Sequence, residues 1–312
     1  MVFPALRSST NIAFLDDDEH FIDAMGIGVQ RKGRLNLFPS PAELDEALSD
    51  ADQLARDEQK LLARIENPRN GFSSIAEAVE YFRWSDRHKI LTILLCDHAM
   101  PAEPGVSVCS RHAHHGFRRV LLTGVADAKI AIDAFNGGHI ESFLPKQHRD
   151  LPNELLRVVD EQVEKSMEIR GSRLAAALTE RCVGLLRRPG VFVGLADLLA
   201  DWGATEYLVV PDPFGILGLC AGGRLLWIQI EDEHSMGELV ETLKELDWPD
   251  ELMESARSRQ AIPNVEIAEL SGLSQGSEPA HLIAPESGVY AAVFELPRID
   301  SMSHQGSRRG IK

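Results

Sequence analysis

Residues 90–105 read ILTILLCDHAMPAEPG, an almost uninterrupted apolar run from Ile90 to Cys96 that stops on Asp97. A strand with one wet face alternates polar and apolar residues. A run that is apolar throughout suits a strand covered on both faces, as in a parallel sheet between two helical layers. Packing gives such a strand no reason to finish on a carboxylate. In open parallel sheets ligands bind beyond the carboxyl ends of the strands. This one stretch therefore predicts both a fold class and the position of a site.

The same rhythm extends outward in both directions. NIAFLDD (11–17) reads as a short buried strand ending in carboxylates, and Phe21, Met25 and Val29 mark a helix over 21–31 that Gly33 stops. Arg34–Phe38 reads as a second strand. Downstream, Val120–Leu122 precedes a helix over Asp127–Phe135, and Glu141–Leu144 precedes a helix over Asn153–Glu168. Five short strands alternating with helices predict a doubly wound α/β domain with a five-stranded parallel sheet. Roughly 50 residues separate the second and third strands, against a usual connection of about a dozen. After Ser40-Pro41 this extra piece, Glu43 to Arg83, places Leu44, Leu48, Ala51, Ala55, Leu62 and Ile65 on one helical face. Asn67-Pro68 and Asn70-Gly71 break it, and a second helix covers Ile75–Phe82. The segment reads as a helical hairpin beside the active face, serving either as decoration or as a partner or dimer surface.

Four of the strands end on reactive residues. The first ends in Asp16-Asp17, the third in Asp97 and the fourth in Thr123, and the fifth leads into Lys146. Adjacent carboxylates repel one another, and a divalent cation is the usual compensation. Oxygen ligands at an exposed site favour Mg²⁺, which keeps waters and bridges to phosphate oxygens. A carboxylate beside that ion can attack a phosphoryl group, while an ammonium and a hydroxyl offset charge on the transferring group.

Asp97-His98-Ala99-Met100-Pro101 followed by Gly105 reproduces the pattern D-x-x-M-P-x-x-x-G, and with these residues the first half of the chain resembles the receiver domain of two-component response regulators. Asp16-Asp17 matches that family's acidic pair, Leu121-Leu122-Thr123-Gly124 its switch threonine, and Phe143-Leu144-Pro145-Lys146 its aromatic and lysine. The resemblance implies a flavodoxin-like receiver over 1–168, with its insertion at about 43–83. Asp97 would be the phosphoacceptor, and Asp16, Asp17, Asp97 and the backbone carbonyl of Ala99 would hold Mg²⁺. Thr123 and Lys146 would contact the phosphoryl group, and Phe143 would turn as the rotameric switch. It further implies a sensor histidine kinase or phosphotransfer protein as donor, and a homodimer. Gln147 stands where receivers usually place proline. LTGVADAKIAIDAFNGG (122–138) is similar to a narrower set, the Lqs-type quorum-sensing response regulators, whose receivers are also extended.

Beyond Gly171 the rhythm changes. Helices are expected over Leu174–Leu186 and Leu195–Trp202, then close strands at Glu206–Val210, Ile216–Cys220 and Leu225–Glu231 with turns at Pro211-Asp212-Pro213 and Ala221-Gly222-Gly223. Short turns between strands indicate antiparallel pairing, hence a smaller α+β second domain over 169–312. Ser271–Glu278 reads as a loop, Val289–Leu296 as a last strand and 301–312 as a disordered tail. From Gly171 to Lys312 there are 12 Lys/Arg against 21 Asp/Glu, and the whole chain carries −16. That balance argues against DNA, whose affinity rests on basic residues displacing counterions. The second domain has no GGDEF, EAL or HD-GYP-like run. Three output classes stay open: signalling through protein contacts, a phosphorylation-controlled enzyme or ligand sensor, and a DNA-binding regulator, with the first favoured by elimination.

The remaining features take plainer readings. Cys96, Cys109, Cys182 and Cys220 sit singly within apolar stretches and read as buried thiols. His112, His114 and His115 read as a solvated helix terminus, because no carboxylate or cysteine nearby in sequence completes a ligand set. Glu231-Asp232-Glu233-His234 reads as a strand end capping the next helix. No apolar run approaches the roughly 20 residues of a membrane span, and the N-terminus lacks a signal-peptide layout, so a cytoplasmic protein is expected.

Overall fold

The computed structural model describes residues 3–68, 73–124, 127–271, 275–284 and 286–297. The expected tail at 301–312 and the Asn70-Gly71 break lie outside them. The chain divides into two compact units: Ser9–Gln59 with Ser85–Ile169, and Met1–Ser8 with Lys60–Trp84 and Arg170–Lys312.

A two-residue strand, β1 (Leu6–Arg7), comes first and belongs to the second unit. The first unit then runs through β2 (Asn11–Leu15), α1 (Glu19–Val29), β3 (Arg34–Phe38), α2 (Pro41–Ala47) and the start of α3 (Ala51–Glu66). After α4 (Ser74–Arg83) of the second unit it resumes with β4 (Ile93–Asp97), α5 (Gly105–Arg111), β5 (Arg118–Thr123), α6 (Ala128–Asn136), β6 (Ser142–Pro145) and most of α7 (Leu151–Ala177). The sheet order is β3-β2-β4-β5-β6 and every pairing is parallel. Successive side chains of the apolar strands go to opposite faces. Ala13, Leu15, Leu94, Cys96 and Leu121 pack with Val108, Ala131 and Leu44 on one side. Ile12, Phe14, Ile93, Leu95 and Val120 pack with Val29, Leu155 and Val159 on the other. Each of the Val, Leu, Ile and Phe side chains among them contributes roughly 1.5–3 kcal/mol of burial, before entropy. The uninterrupted apolar run of β4 is thus explained by two cores rather than one.

The second unit continues with α8 (Glu180–Leu186), α9 (Val191–Asp201), β7 (Ala204–Val210), β8 (Gly215–Cys220), β9 (Leu225–Asp232), α10 (Glu233–Glu245), α11 (Asp250–Arg257), β10 (Ala261–Pro263), α12 (Val265–Ser271), β11 (Ser277–Pro279), β12 (His281–Leu282) and β13 (Val289–Leu296). Its main sheet has the order β1-β7-β8-β9-β13-β12, with all pairings antiparallel. Trp227, fully buried, lies in its core.

Three expectations change here. The boundary at 168/169 misses two segments that belong with the second unit, β1 through its pairing with β7, and Lys60–Trp84. With them that unit, expected to be the smaller, spans more residues than the first. The Leu44 to Ile65 stripe is not one helical face. The backbone breaks between Ala47 and Ala51; Leu44 enters the first unit's core, while Leu62 and Ile65 join Ile75, Val79 and Phe82 of α4 in the second unit's core. The apolar face of α4 is therefore internal and offers no partner surface. The helices expected to end at Glu168 and to begin at Leu174 are one continuous helix, α7, with the division between the units at Ile169/Arg170 and Gly171 inside it. A β-carbon there would meet Leu6 Cβ at 2.9 Å, so the glycine lets β1 approach the helix.

Candidate functional site

β2, β4 and β5 end at one edge of the parallel sheet, and each delivers a side chain there. Asp16 follows β2 and is fully buried; Asp97 closes β4 and is 4% exposed; Thr123 closes β5 and is buried; Asp17 is exposed. Carboxylate oxygens of Asp16, Asp17 and Asp97 all lie within 4.8 Å of one another. Lys146, just past β6, donates to Asp16 Oδ2 at 2.8 Å and pairs with Asp97 Oδ1 at 2.9 Å. Its ammonium also sits 4.3 Å from the centroid of the Phe21 ring, a cation–π contact. Gln147 in the usual proline position does not displace it; among the described residues the cis peptide is Asp212-Pro213.

Local geometry holds these groups in place. Asp18 caps α1, its Oδ1 accepting from the amides of His20 and Phe21 at 3.0 and 3.2 Å. The Asp18 amide in turn donates to Asp16 Oδ1 at 2.9 Å. Gly105 explains the glycine of the D-x-x-M-P-x-x-x-G spacing. A β-carbon there would lie 1.9 Å from the Asp97 carbonyl oxygen and 2.8 Å from Cys96 Sγ, so only glycine lets α5 start against the end of β4. Met100 is buried beneath this loop, Ala99 is exposed, and Phe143 is half-buried against the core on the α5/α6 side of the sheet.

Burial pushes the Asp16 carboxyl above its ordinary pKa, only partly countered by the Lys146 hydrogen bond. Burial works against the Lys146 ammonium as well, but its bonds to Asp16 and Asp97 outweigh it and hold that pKa above the usual lysine range. One ammonium therefore pairs with two buried carboxylates, beside a third that is exposed. A cluster of hard carboxylate oxygens this close together has the donor chemistry of a Mg²⁺ site. The strand ends named from sequence converge. The sequence did not reveal Phe21 beneath the lysine; its only trace was an apolar position in the first turn of α1.

This is a response-regulator receiver fold. The first unit's likeness is part of a match over almost the whole chain to the response regulator LqsR of Legionella pneumophila, with a TM-score of 0.69 and 18% identity, covering 96% of this chain and 91% of that one. Receiver domains also align with about half of the chain: a BeF3-activated DrrB receiver (TM-score 0.33, 16% identity, 50% of this chain and 99% of that one) and a CheY-like receiver from Methanospirillum hungatei (0.33, 16%, 51% and 97%). No family model and no curated protein matches the chain. Among the described residues of the receiver-fold chain, no helix is long and apolar enough to cross a membrane.

The second unit contains a cavity of about 650 Å³ whose lining includes Thr179, Arg181, Asp212, Phe214, Glu231 and Glu266. Burial, and then the charges of Glu231 and Asp212, push the Glu266 carboxyl up to about 8; its buried Oε2 has no hydrogen-bond partner among the described residues. Glu231 is also raised by burial, although it accepts from Gln229 Nε2 at 2.8 Å. Asp232 beside them behaves differently. Burial opposes its charge, but the Ser235 amide, Arg181 and Arg188 hold it down to about 2. It caps α10, as its place at a strand end implied.

Proposed function

We propose that the protein is a response regulator of a two-component phosphorelay, in which Asp97 accepts a phosphoryl group from a histidine kinase or phosphotransfer protein. The observation that carries this reading is the single Lys146 ammonium bridging Asp16 and Asp97 at the strand ends. Asp16, Asp17, Asp97 and the Ala99 carbonyl would hold Mg²⁺, which when bound supplies neutralising charge to the acceptor and the transferring oxygens. Asp97 then acts as nucleophile. Its carboxylate oxygen forms the new P–O bond as the bond to the donor's leaving group breaks. Lys146, freed from Asp97 Oδ1, follows the charge onto a phosphoryl oxygen. The Thr123 hydroxyl, at the end of the adjacent strand, donates to another. That movement vacates space for the half-buried Phe143, and the surface of α6, β6 and α7 changes with it. α6 carries exposed Ile130, Ile132 and Phe135 on that surface, which suits phosphorylation-dependent homodimerisation.

Asp97→Asn tests the assignment, because an amide cannot attack phosphorus. With acetyl phosphate and Mg²⁺ the variant should take up no label, while the wild-type protein is labelled and shifts in mass by light scattering. Undiminished labelling of a folded Asn variant sinks the proposal.

A second reading concerns output. The cavity around Glu266 favours a second unit that senses a small molecule, and its acidic lining suits a cationic one.

A further inference from the structure

The turn after α5 carries three histidines that the phosphoryl-transfer chemistry does not use. Each is held by contacts within the first unit. His112 Nε2 lies 2.7 Å from Asp45 Oδ1, and its ring stacks on His115 with centroids 5.3 Å apart. The Arg119 guanidinium donates to the carbonyls of His112 and His115, at 3.2 and 3.3 Å, which pins the turn. His115 Nδ1 is 2.9 Å from Asp52 Oδ1, and the His114 and His115 ring centroids are 4.0 Å apart. Asp52 lies in the first turn of α3, far from the histidines in sequence. Folding thus supplies the carboxylate that the sequence around the histidines lacks.

His114 makes the arrangement more than a set of hydrogen bonds. Its Nδ1 is 3.1 Å from the Arg111 carbonyl, which can only accept, so Nδ1 carries the proton and Nε2, an acceptor in the neutral ring, is the nitrogen left to coordinate. That Nε2 faces Asp52 Oδ2, another acceptor, across 3.9 Å. A metal ion between these two atoms would turn a contact between lone pairs into coordination by both. The span is close to the ligand–ligand distance of about 3.3 Å across a tetrahedral ion with bonds of about 2.0 Å. Ligand atoms of Asp52, His114 and His115 all lie within 4.8 Å of one another. Backbone support of the non-ligating ring nitrogen is the orienting contact that metal-bound histidines use.

We propose that Asp52, His114 and His115 form a site for a divalent transition metal of the zinc class. Two imidazoles and one carboxylate suit Zn²⁺ and discriminate against Mg²⁺, which prefers an all-oxygen shell. Three protein ligands leave a fourth position open to water or an external ligand. The bound ion ties the first turn of α3 to the turn between α5 and β5, which makes the inserted segment responsive to metal independently of Asp97.

Titration of the full-length protein with Zn²⁺ in millimolar Mg²⁺, read by calorimetry and by thermal midpoint, tests this. One equivalent should bind and raise the midpoint. Asp52→Ala and His114→Ala, both at exposed positions, should each weaken binding at least tenfold, the order of loss expected for a metal ligand. Asp97→Asn should bind Zn²⁺ as the wild type does. No binding to the wild-type protein, or equal binding by the folded Asp52 and His114 variants, overturns the proposal.

Discussion

At the receiver strand ends Asp16 and Asp97 share one ammonium, 2.8 and 2.9 Å away, whereas in the antiparallel unit Glu266 faces Glu231 and Asp212 and is neutralised by a proton. Both sites crowd carboxylates into low-dielectric surroundings, where like charges cannot all ionise without compensation. At the first site the compensating charge is a fixed cation, the Lys146 ammonium. Protonation leaves the charge state adjustable near neutrality, open to pH or to a cationic ligand. Under the proposed function the first arrangement serves phosphoryl transfer and the second the sensing of a cationic ligand.

Removing the cation should make the first site behave like the second, and this is the largest effect expected. Lys146→Met leaves two buried carboxylates unpaired, at a cost on the order of 3 kcal/mol at pH 8. Asp16, already raised by burial, would rise further. A raised folded-state pKa contributes stability at low pH that is lost as pH climbs, so urea denaturation at pH 5 should show a smaller deficit. Equal losses at pH 5 and pH 8 would break the comparison.

Glu266→Gln should do the reverse in the other unit. The wild-type carboxyl, ordinarily near 4.5 and here about 8, gives stability that fades as pH rises between those values. The amide does not titrate, so the variant should gain on the wild type with rising pH, by on the order of 1–2 kcal/mol at pH 9. A millimolar primary alkylamine should raise the wild-type thermal midpoint at pH 8 and leave the variant's unchanged. An unchanged wild-type midpoint counts against the sensor reading; parallel pH profiles count against the buried-proton account.

The smallest effect is expected at Asp17. This exposed carboxylate has no packing role, so Asp17→Ala should alter metal-free stability by no more than about 0.5 kcal/mol. Mg²⁺ affinity should still fall, by about tenfold, in a fluorescence titration. Unaltered affinity would remove Asp17 from the ligand set.

Local pattern made much of the receiver legible. β3 and β13 fall at the bounds expected from sequence, Arg34–Phe38 and Val289–Leu296, because each is a short run between clear turn signals. The residues at the parallel strand ends were legible for a different reason: an apolar strand that stops on a carboxylate, a threonine or a lysine has no packing explanation. Helices expected over Asn153–Glu168 and Leu174–Leu186 read as separate, yet α7 runs through Gly171, whose missing side chain leaves room for Leu6, a contact with a segment far away in sequence. The Leu44 to Ile65 stripe misled because periodicity says that a face is buried, not in which core.

The sequence by itself determined the alternation of strands and helices, the place of Asp97 at the end of an apolar strand, and the glycine that lets α5 begin beside it. These are local properties, set by side-chain periodicity and by sterics across a few residues. Tertiary structure alone decided that β1 joins the antiparallel sheet, that Phe21 lies under Lys146, that Asp52 meets His114 and His115, and that Asp212, Glu231 and Glu266 gather around one cavity. Each of these depends on segments distant in the chain. Their approach is fixed by the burial of whole elements, and no residue's immediate neighbours encode it.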